Sequence, residues 1–279
     1  VSYSNPKIPE GINVTDEHPL KDFAAMLLGI GLALAAIIFV LTLLAGYLVR
    51  YVPFSFEQQL AERFSEQLPA SENSPEHQQR QEYLQKLGDK LARAQQLPEE
   101  MTITVHYLED DTVNAFATLG GHIFIFKGLL DRMPSENALA MVMAHEIAHI
   151  KHRDPMVSLG RGLTVSLAAL SLLGAGDGSL AQSLVGQISL LTTLSFSRGM
   201  EEDADQEALQ TLARHYGHTH HADTLFRILQ DENQSQDVPA FFSTHPLNEE
   251  RIKAIQQYQS EQSPKSLETV PLPAWAKPE

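Results

Sequence analysis

The chain has 279 residues, 35 acidic against 20 basic, a formal net charge of -15, 43% hydrophobic residues and no cysteine. That charge repels phosphate backbones and no basic stripe with interleaved aromatics overrides it, so no nucleic acid partner is expected. Without cysteine there are no disulfides, zinc ribbons or thiol nucleophiles, and a tight metal site must be built from histidines and carboxylates.

Residues 1–22, with Pro6, Pro9, Gly11 and Pro19 and little periodicity, predict an extended N-terminal arm. The run 23–49 holds no charged residue and exceeds the ~20 residues needed to cross a ~30 Å hydrocarbon layer, which predicts a transmembrane anchor. Asp16, Glu17 and Asp22 precede it and the run is too long for a cleavable signal peptide, so an uncleaved anchor is expected. Lys7 and Lys21 stand before the run and Arg50 and Arg63 after it, which leaves the orientation open. Residues 50–98 read as a helical stalk or cap: an amphipathic helix over 56–68, a polar break over 69–75, then the helical stripe Tyr83, Leu84, Leu87, Leu91 and Ala94. In the domain predicted over 99–258, residues 101–107 alternate as a strand and 114–117 form a second short one. Gly120 and Gly121 then lead into an apolar run at 122–126.

Pro134-Ser135-Glu136 predicts a helix start with Ser135 as N-cap, and helical spacing continues through Ile150 until Pro155 ends the run. Inside it, His145-Glu146-Ile147-Ala148-His149 is an H-E-x-x-H pattern. Residues four apart share a helix face, so His145 and His149 aim two imidazoles at one metal ion with Glu146 beside it, the chemistry of a zinc peptidase. Ala144 and Ala148 leave room for metal and substrate. A catalytic zinc keeps three protein ligands and an open position, so a third ligand is required. His152 lies ~10.5 Å along the axis from His145 and is too far. The metzincin extension fails, because position 152 is His and 155 is Pro. Glu201, Glu202, Asp203 and Asp205 crowd one turn of an acidic helix over 197–213; for any one of them a solvated helix start is the alternative. The apolar segment 156–196 before that helix predicts a buried or membrane-surface hairpin rather than a second pair of spans. Short helices are expected at 224–229 and 249–258. His215, His218, His220 and His221 sit in a polar turn and read as solvent-exposed, and the proline-rich residues 259–279 predict a disordered tail.

Three separated segments, the H-E-x-x-H, Ser197 to Asp205, and Ser243-Thr244-His245-Pro246 with Glu250-Arg251-Ile252, are joined by Asn114-Ala115-Phe116 and Gly120 to Phe124. In order and spacing they resemble the membrane zinc metallopeptidases that include the bacterial HtpX-type proteases and the CAAX prenyl proteases, over roughly residues 80 to 258. The resemblance implies an α+β, mainly helical fold: a zincin-like metallopeptidase core with a small β-sheet beside the H-E-x-x-H helix, plus the N-terminal transmembrane helix. It implies Glu201 as third ligand, Asp205 as the acid that orients a ligand histidine, and Arg198 as a brace. His245 would steady the oxyanion or fill the metal's open position in a resting state, and Asn114, Ala115 and Phe116 would border the cleft where a substrate strand adds. One Zn2+ per chain and Glu146 as general base complete the expected site. The function implied is a membrane-anchored endopeptidase for unfolded or misassembled proteins. Its partners would be protein substrates and, through residues 23–49, the lipid bilayer, in a bacterial inner membrane with a periplasmic catalytic domain. The alternative is a latent zinc-stabilised chaperone or binding module with little proteolysis. Processing of prenylated peptides needs a multi-span chamber, which one span does not supply.

Overall fold

A computed structural model describes residues 3–5, 19–65, 74–173, 196–232, 240–246, 249–261 and 268–276. Helix α1 (Pro19–Leu48) begins inside the stretch expected as an extended arm, because a proline in the first helical turn loses no hydrogen bond. Its apolar window has a mean hydropathy of 2.8 and none of it is buried. Among the described residues it is the one helix with the length and apolarity to cross a membrane. A 3-10 turn at Val49–Tyr51 leads into α2 (Phe54–Ser65).

Within the residues expected as a helical stalk or cap, α3 (Pro75–Ala94) packs into the core. Ser74 caps it, its Oγ accepting from the His77 N–H at 3.1 Å. The stripe Leu84, Leu87 and Leu91 is buried against strand β1 (Thr104–Leu108) and helix α5 (Glu136–His152), because no isolated helix covers such a face. On the same helix, Gln81 Oε1 accepts from Tyr107 N at 2.7 Å and Gln85 Oε1 from Val105 N at 2.8 Å. These side chains satisfy the outer edge of β1 that would otherwise stand unpaired.

The sheet runs β1-β3-β2, with β1 parallel and β2 (Ala115–Ala117) antiparallel to the central β3 (His122–Phe126). Val105, Tyr107, Ala115, Ala117, Ile123 and Ile125 alternate onto the face that joins the core with α5. Gly120 and Gly121, at φ +73 and +86, make the turn into β3; a β-carbon on Gly121 would stand 2.0 Å from Thr102 O. The short helix α4 (Lys127–Leu130) follows.

Ser135 caps α5, its Oγ accepting from Ala138 N at 3.3 Å. Every residue from Asn137 to Ile150 is buried, so this helix runs through the centre of the molecule. It stops at Arg153, which adopts left-handed φ 64, and α6 (Asp154–Leu173) starts at once with Pro155 in its first turn. Helix α6 packs along α1, with Gly160 against Ala45 and Val49. Residues 174–195, most of the second half of the expected hairpin, lie outside the described residues. Helix α7 (Arg198–Tyr216) packs on α5 and is followed by α8 (Thr224–Glu232), α9 (Ala240–Thr244) and α10 (Glu249–Glu261).

Residues 259–261 and 268–276 depart from the disorder expected over 259–279; the rest of that stretch lies outside the described residues. Helix α10 continues to Glu261, and residues 268–276 are packed. Val270 O accepts from Glu136 N at 2.9 Å, Val270 N donates to Asn137 Oδ1 at 2.8 Å, and Leu272 and Ala276 are buried. Proline-rich composition misleads here because the start of α5 offers free backbone donors and an apolar slot beside Tyr83 that Trp275 fills. His218, expected to be exposed, is buried and contacts Glu268 O at 3.0 Å.

Candidate metal centre

Helix α5 presents His145, Glu146 and His149 toward α7 and the end of α9. His145 Nε2 lies 3.0 Å from His149 Nε2 and 3.3 Å from His245 Nδ1. Glu201 completes the group, with Oε2 3.5 Å from His145 Nε2 and Oε1 3.5 Å from His149 Nε2 and 3.2 Å from His245 Nδ1. All four residues are buried, and together they can hold a metal ion. An ion with bond lengths of about 2.0–2.1 Å in a tetrahedron needs donor separations of about 3.4 Å, the spacing found here.

The partners on the far side of each ring make the case stronger. His149 Nδ1 donates to Asp154 Oδ2 at 2.8 Å, and His145 Nδ1 lies 3.0 Å from Asp205 Oδ1. A carboxylate only accepts, so both rings carry their proton on Nδ1 and turn Nε2 lone pairs toward each other and toward Glu201. Such a knot of acceptors is reconciled by a cation. Burial lowers the His145 pKa, but Asp205 and Glu201 outweigh it and raise it to about 10, so with no cation bound the ring takes a second proton on Nε2, the position a metal ion would occupy. The field that favours a proton there also favours a metal ion. Glu201 is held well below the usual carboxylate range by His145, His149 and His245, against the opposing effect of burial.

Glu146 is fully buried, and among the described residues neither of its oxygens has a hydrogen-bond partner. His245 Nε2 is likewise unpartnered and stands 3.4 Å from Glu146 Oε1 without hydrogen-bond geometry. Phe241 stacks on the His245 ring at 4.6 Å and Phe196 on His149 at 4.1 Å, which fixes both ring planes.

The sequence profile described as Peptidase family M48 matches residues 78–259. The chain belongs to this family. Its M48 region is similar to the mitochondrial metalloendopeptidase OMA1 of Schizosaccharomyces pombe, 36% identical over 159 residues that cover 55% of this chain and 46% of that protein. It is similar to a putative beta-barrel assembly-enhancing protease of Vibrio cholerae, 33% identical over 187 residues, 61% of this chain and 37% of that protein. A protease HtpX homolog of Methylibium petroleiphilum is 29% identical over 192 residues, 54% of this chain and 66% of that protein. The chain spans less than half the length of the yeast and Vibrio relatives.

Two residues of this M48 site escaped the sequence reading. Asp154 orients His149; its only signal was a carboxylate five residues past a candidate ligand, at the start of the next helix. Arg251 is buried and clamps the carboxylates, Nε and Nη2 donating to Asp205 at 2.7 and 2.9 Å and Nη1 lying 2.7 Å from Glu201 Oε2. The sequence offers it only as part of Glu250-Arg251-Ile252, a segment of the family resemblance that implies no role for it. Arg198, expected as the brace, is exposed on the first turn of α7, so the bracing cation is Arg251. Glu202 and Asp203 are also exposed and point away, while His152 is partly exposed and outside the cluster. Asn114, Ala115 and Phe116 are buried at the β2 edge of the sheet, and Asn114 Oδ1 has no partner.

Proposed function

We propose that this M48 chain is a zinc-dependent endopeptidase, anchored to a membrane through α1, that cleaves unfolded or misassembled proteins. The observation that carries the reading is the set of acceptor atoms 3.0–3.5 Å apart beside a buried, unpartnered Glu146. Imidazole and carboxylate donors in a tetrahedral arrangement suit zinc, held by His145, His149 and Glu201. A bound zinc supplies the Lewis acidity that lowers a water's pKa from 15.7 to roughly 7. Glu146 accepts the proton as water attacks a peptide carbonyl and returns it to the leaving amine. His245 Nε2 is directed to stabilise the carbonyl oxyanion. Because the α3 glutamines occupy the outer edge of β1, a substrate strand joins at β2, beside Asn114, Ala115 and Phe116. Such pairing reads backbone rather than side chains, which suits substrates recognised by being unfolded. The relatives named as assembly-enhancing protease and metalloendopeptidase support protein as the substrate. The catalytic domain is proposed to lie outside the cytoplasm of a bacterium, which a reporter fused after Glu279 reads.

One observation favours a second reading. His245 Nδ1 sits at the fourth corner, 3.2 Å from Glu201 and 3.3 Å from His145, which supports a resting form or a latent zinc-stabilised chaperone. The deciding experiment is cleavage of an unfolded test protein by the zinc-loaded chain and by Glu146→Gln, with bound zinc counted in both. We expect the variant to keep its zinc and lose about a hundredfold or more in rate. A wild type that binds one zinc per chain and cleaves nothing would favour the latent reading.

A further inference from the structure

A cavity of about 730 Å³ lies where α1 joins the rest of the molecule, and none of the four metal-site donors lines it. Three arginines do: Arg50 from the turn after α1, Arg153 from the α5–α6 junction and Arg161 from α6. Arg153 is 7% exposed. Its Nε donates to Glu57 at 3.1 Å and its Nη1 to Val52 O at 2.6 Å, and the guanidinium lies over the Phe54 ring at 5.8 Å, so Arg153 forms a fixed positive floor beneath the cavity. Arg50 and Arg161 have no ion pair among the described residues. The Arg161 Nε and Nη2 stand 3.3 and 3.4 Å from where a β-carbon on Gly46 would sit, so the missing side chain makes room for this guanidinium against α1.

Arginines near a helix C-terminus ordinarily balance the dipole. Three of them around a cavity, two without an ion pair among the described residues, exceed that need. Guanidinium forks match phosphate oxygens geometrically. The cavity also stands at the end of α1, where the Tyr47 and Tyr51 hydroxyls meet at 2.7 Å, the kind of aromatic pair favoured at headgroup level. Lys151 in its wall is already bound by Glu207 and Gln95 O, and Asp154 by His149. Glu100 and Asp203, also in the wall, disfavour a second negative charge and suit a headgroup end that donates hydrogen bonds.

We propose that this cavity binds the phosphodiester headgroup of a membrane phospholipid through Arg50, Arg153 and Arg161, and so holds the peptidase domain against the bilayer. The inference rests on α1 as a membrane span. The test uses the full chain in neutral detergent micelles, titrated with phosphatidylglycerol and read by native mass spectrometry. The comparison is between wild type, Arg50→Gln/Arg161→Gln, and Lys86→Gln as a distant surface control. The double variant should bind the lipid about tenfold more weakly or worse, as expected for losing charged hydrogen bonds, and the control should match wild type. Equal binding by wild type and a folded double variant overturns the proposal. Should the double variant fail to fold by circular dichroism, Arg50→Gln alone carries the comparison. Flotation with phosphatidylcholine vesicles separates the two readings. If wild type does not float, the anchor itself fails and the lipid assignment with it. If all proteins float and bind phosphatidylglycerol alike, only the headgroup site fails. Inorganic phosphate that displaces the lipid and raises the wild-type melting temperature, but not the variant's, would assign the arginines to a soluble anion instead.

Discussion

Each of the two motif histidines, His145 and His149, is held by a carboxylate behind it, and each of those carboxylates has its own environment. Asp154 stands behind His149 through a 2.8 Å hydrogen bond and begins α6, so the orientation of one ring depends on where the next helix starts. Asp154→Asn should weaken metal binding about 10- to 100-fold, as loss of an orienting partner does, and competition with a chelator measures it. Arg251 neutralises Asp205 and Glu201 together in a buried setting. Arg251→Met removes the guanidinium shared by two buried carboxylates and should cost about 3–5 kcal/mol in urea unfolding. Arg251→Lys should recover only part of that, since an ammonium cannot make the forked contact. His145, Glu146 and His149 were legible because one helical turn places them by local geometry alone. Asp154 and Arg251 were not, because their roles come from a helix break and from the docking of α10, and no short spacing encodes either.

Among elements, α5 was the easiest to read: a capping serine, sustained helical spacing and a proline just past its end. Helix α3 is legible in the sequence as a helix, whereas its packing into the core is not, since an apolar stripe records that something covers it but not what. Its two glutamines serve the sheet edge, a task with no sequence signature. The junction of α2 with α5 carries a pH dependence. Burial raises Glu57 to about 7, outweighing the charge and hydrogen bond of Arg153. A folded-state pKa above the unfolded value means stability is greatest below the ordinary glutamate range and is lost as pH rises through about 7. The stability of wild type relative to Glu57→Gln should therefore fall between about pH 4.5 and 7, followed by thermal melting across that window. A difference that rises with pH instead would mean that the Arg153 pairing dominates.

For the whole molecule, two ends of the chain depart from their composition. The C-terminal segment closes over the start of α5, with Val270 bonded to Glu136 and Asn137 and Trp275 edge-on to Tyr83 at 5.4 Å. Truncation after Glu261 should lower stability by about 2–4 kcal/mol from lost apolar burial and hydrogen bonds, whereas a disordered tail would leave the urea midpoint unchanged. At the other end, α1 exposes its apolar surface along its length yet is met by α6 near Ala45, Gly46 and Val49. Because α6 opens with the residue that orients His149, the apolar helix pair and the metal centre share one rigid junction.

By itself the sequence determined everything that depends on local periodicity: the apolar length of α1, the helix around His145 and His149, the strand pair at the double glycine, and the acidic turn that holds Glu201 and Asp205. Those features follow from spacing along one element, where geometry is the same in any protein. The family resemblance already implied Glu201, Asp205 and His245; the tertiary structure alone decided that Arg251 rather than Arg198 reaches the two buried acids, that Asp154 stands behind His149, and that residues 268–276 pack over the start of α5. These depend on which faces meet when helices dock, and docking is chosen by the burial of the whole apolar surface rather than by any single stretch of chain.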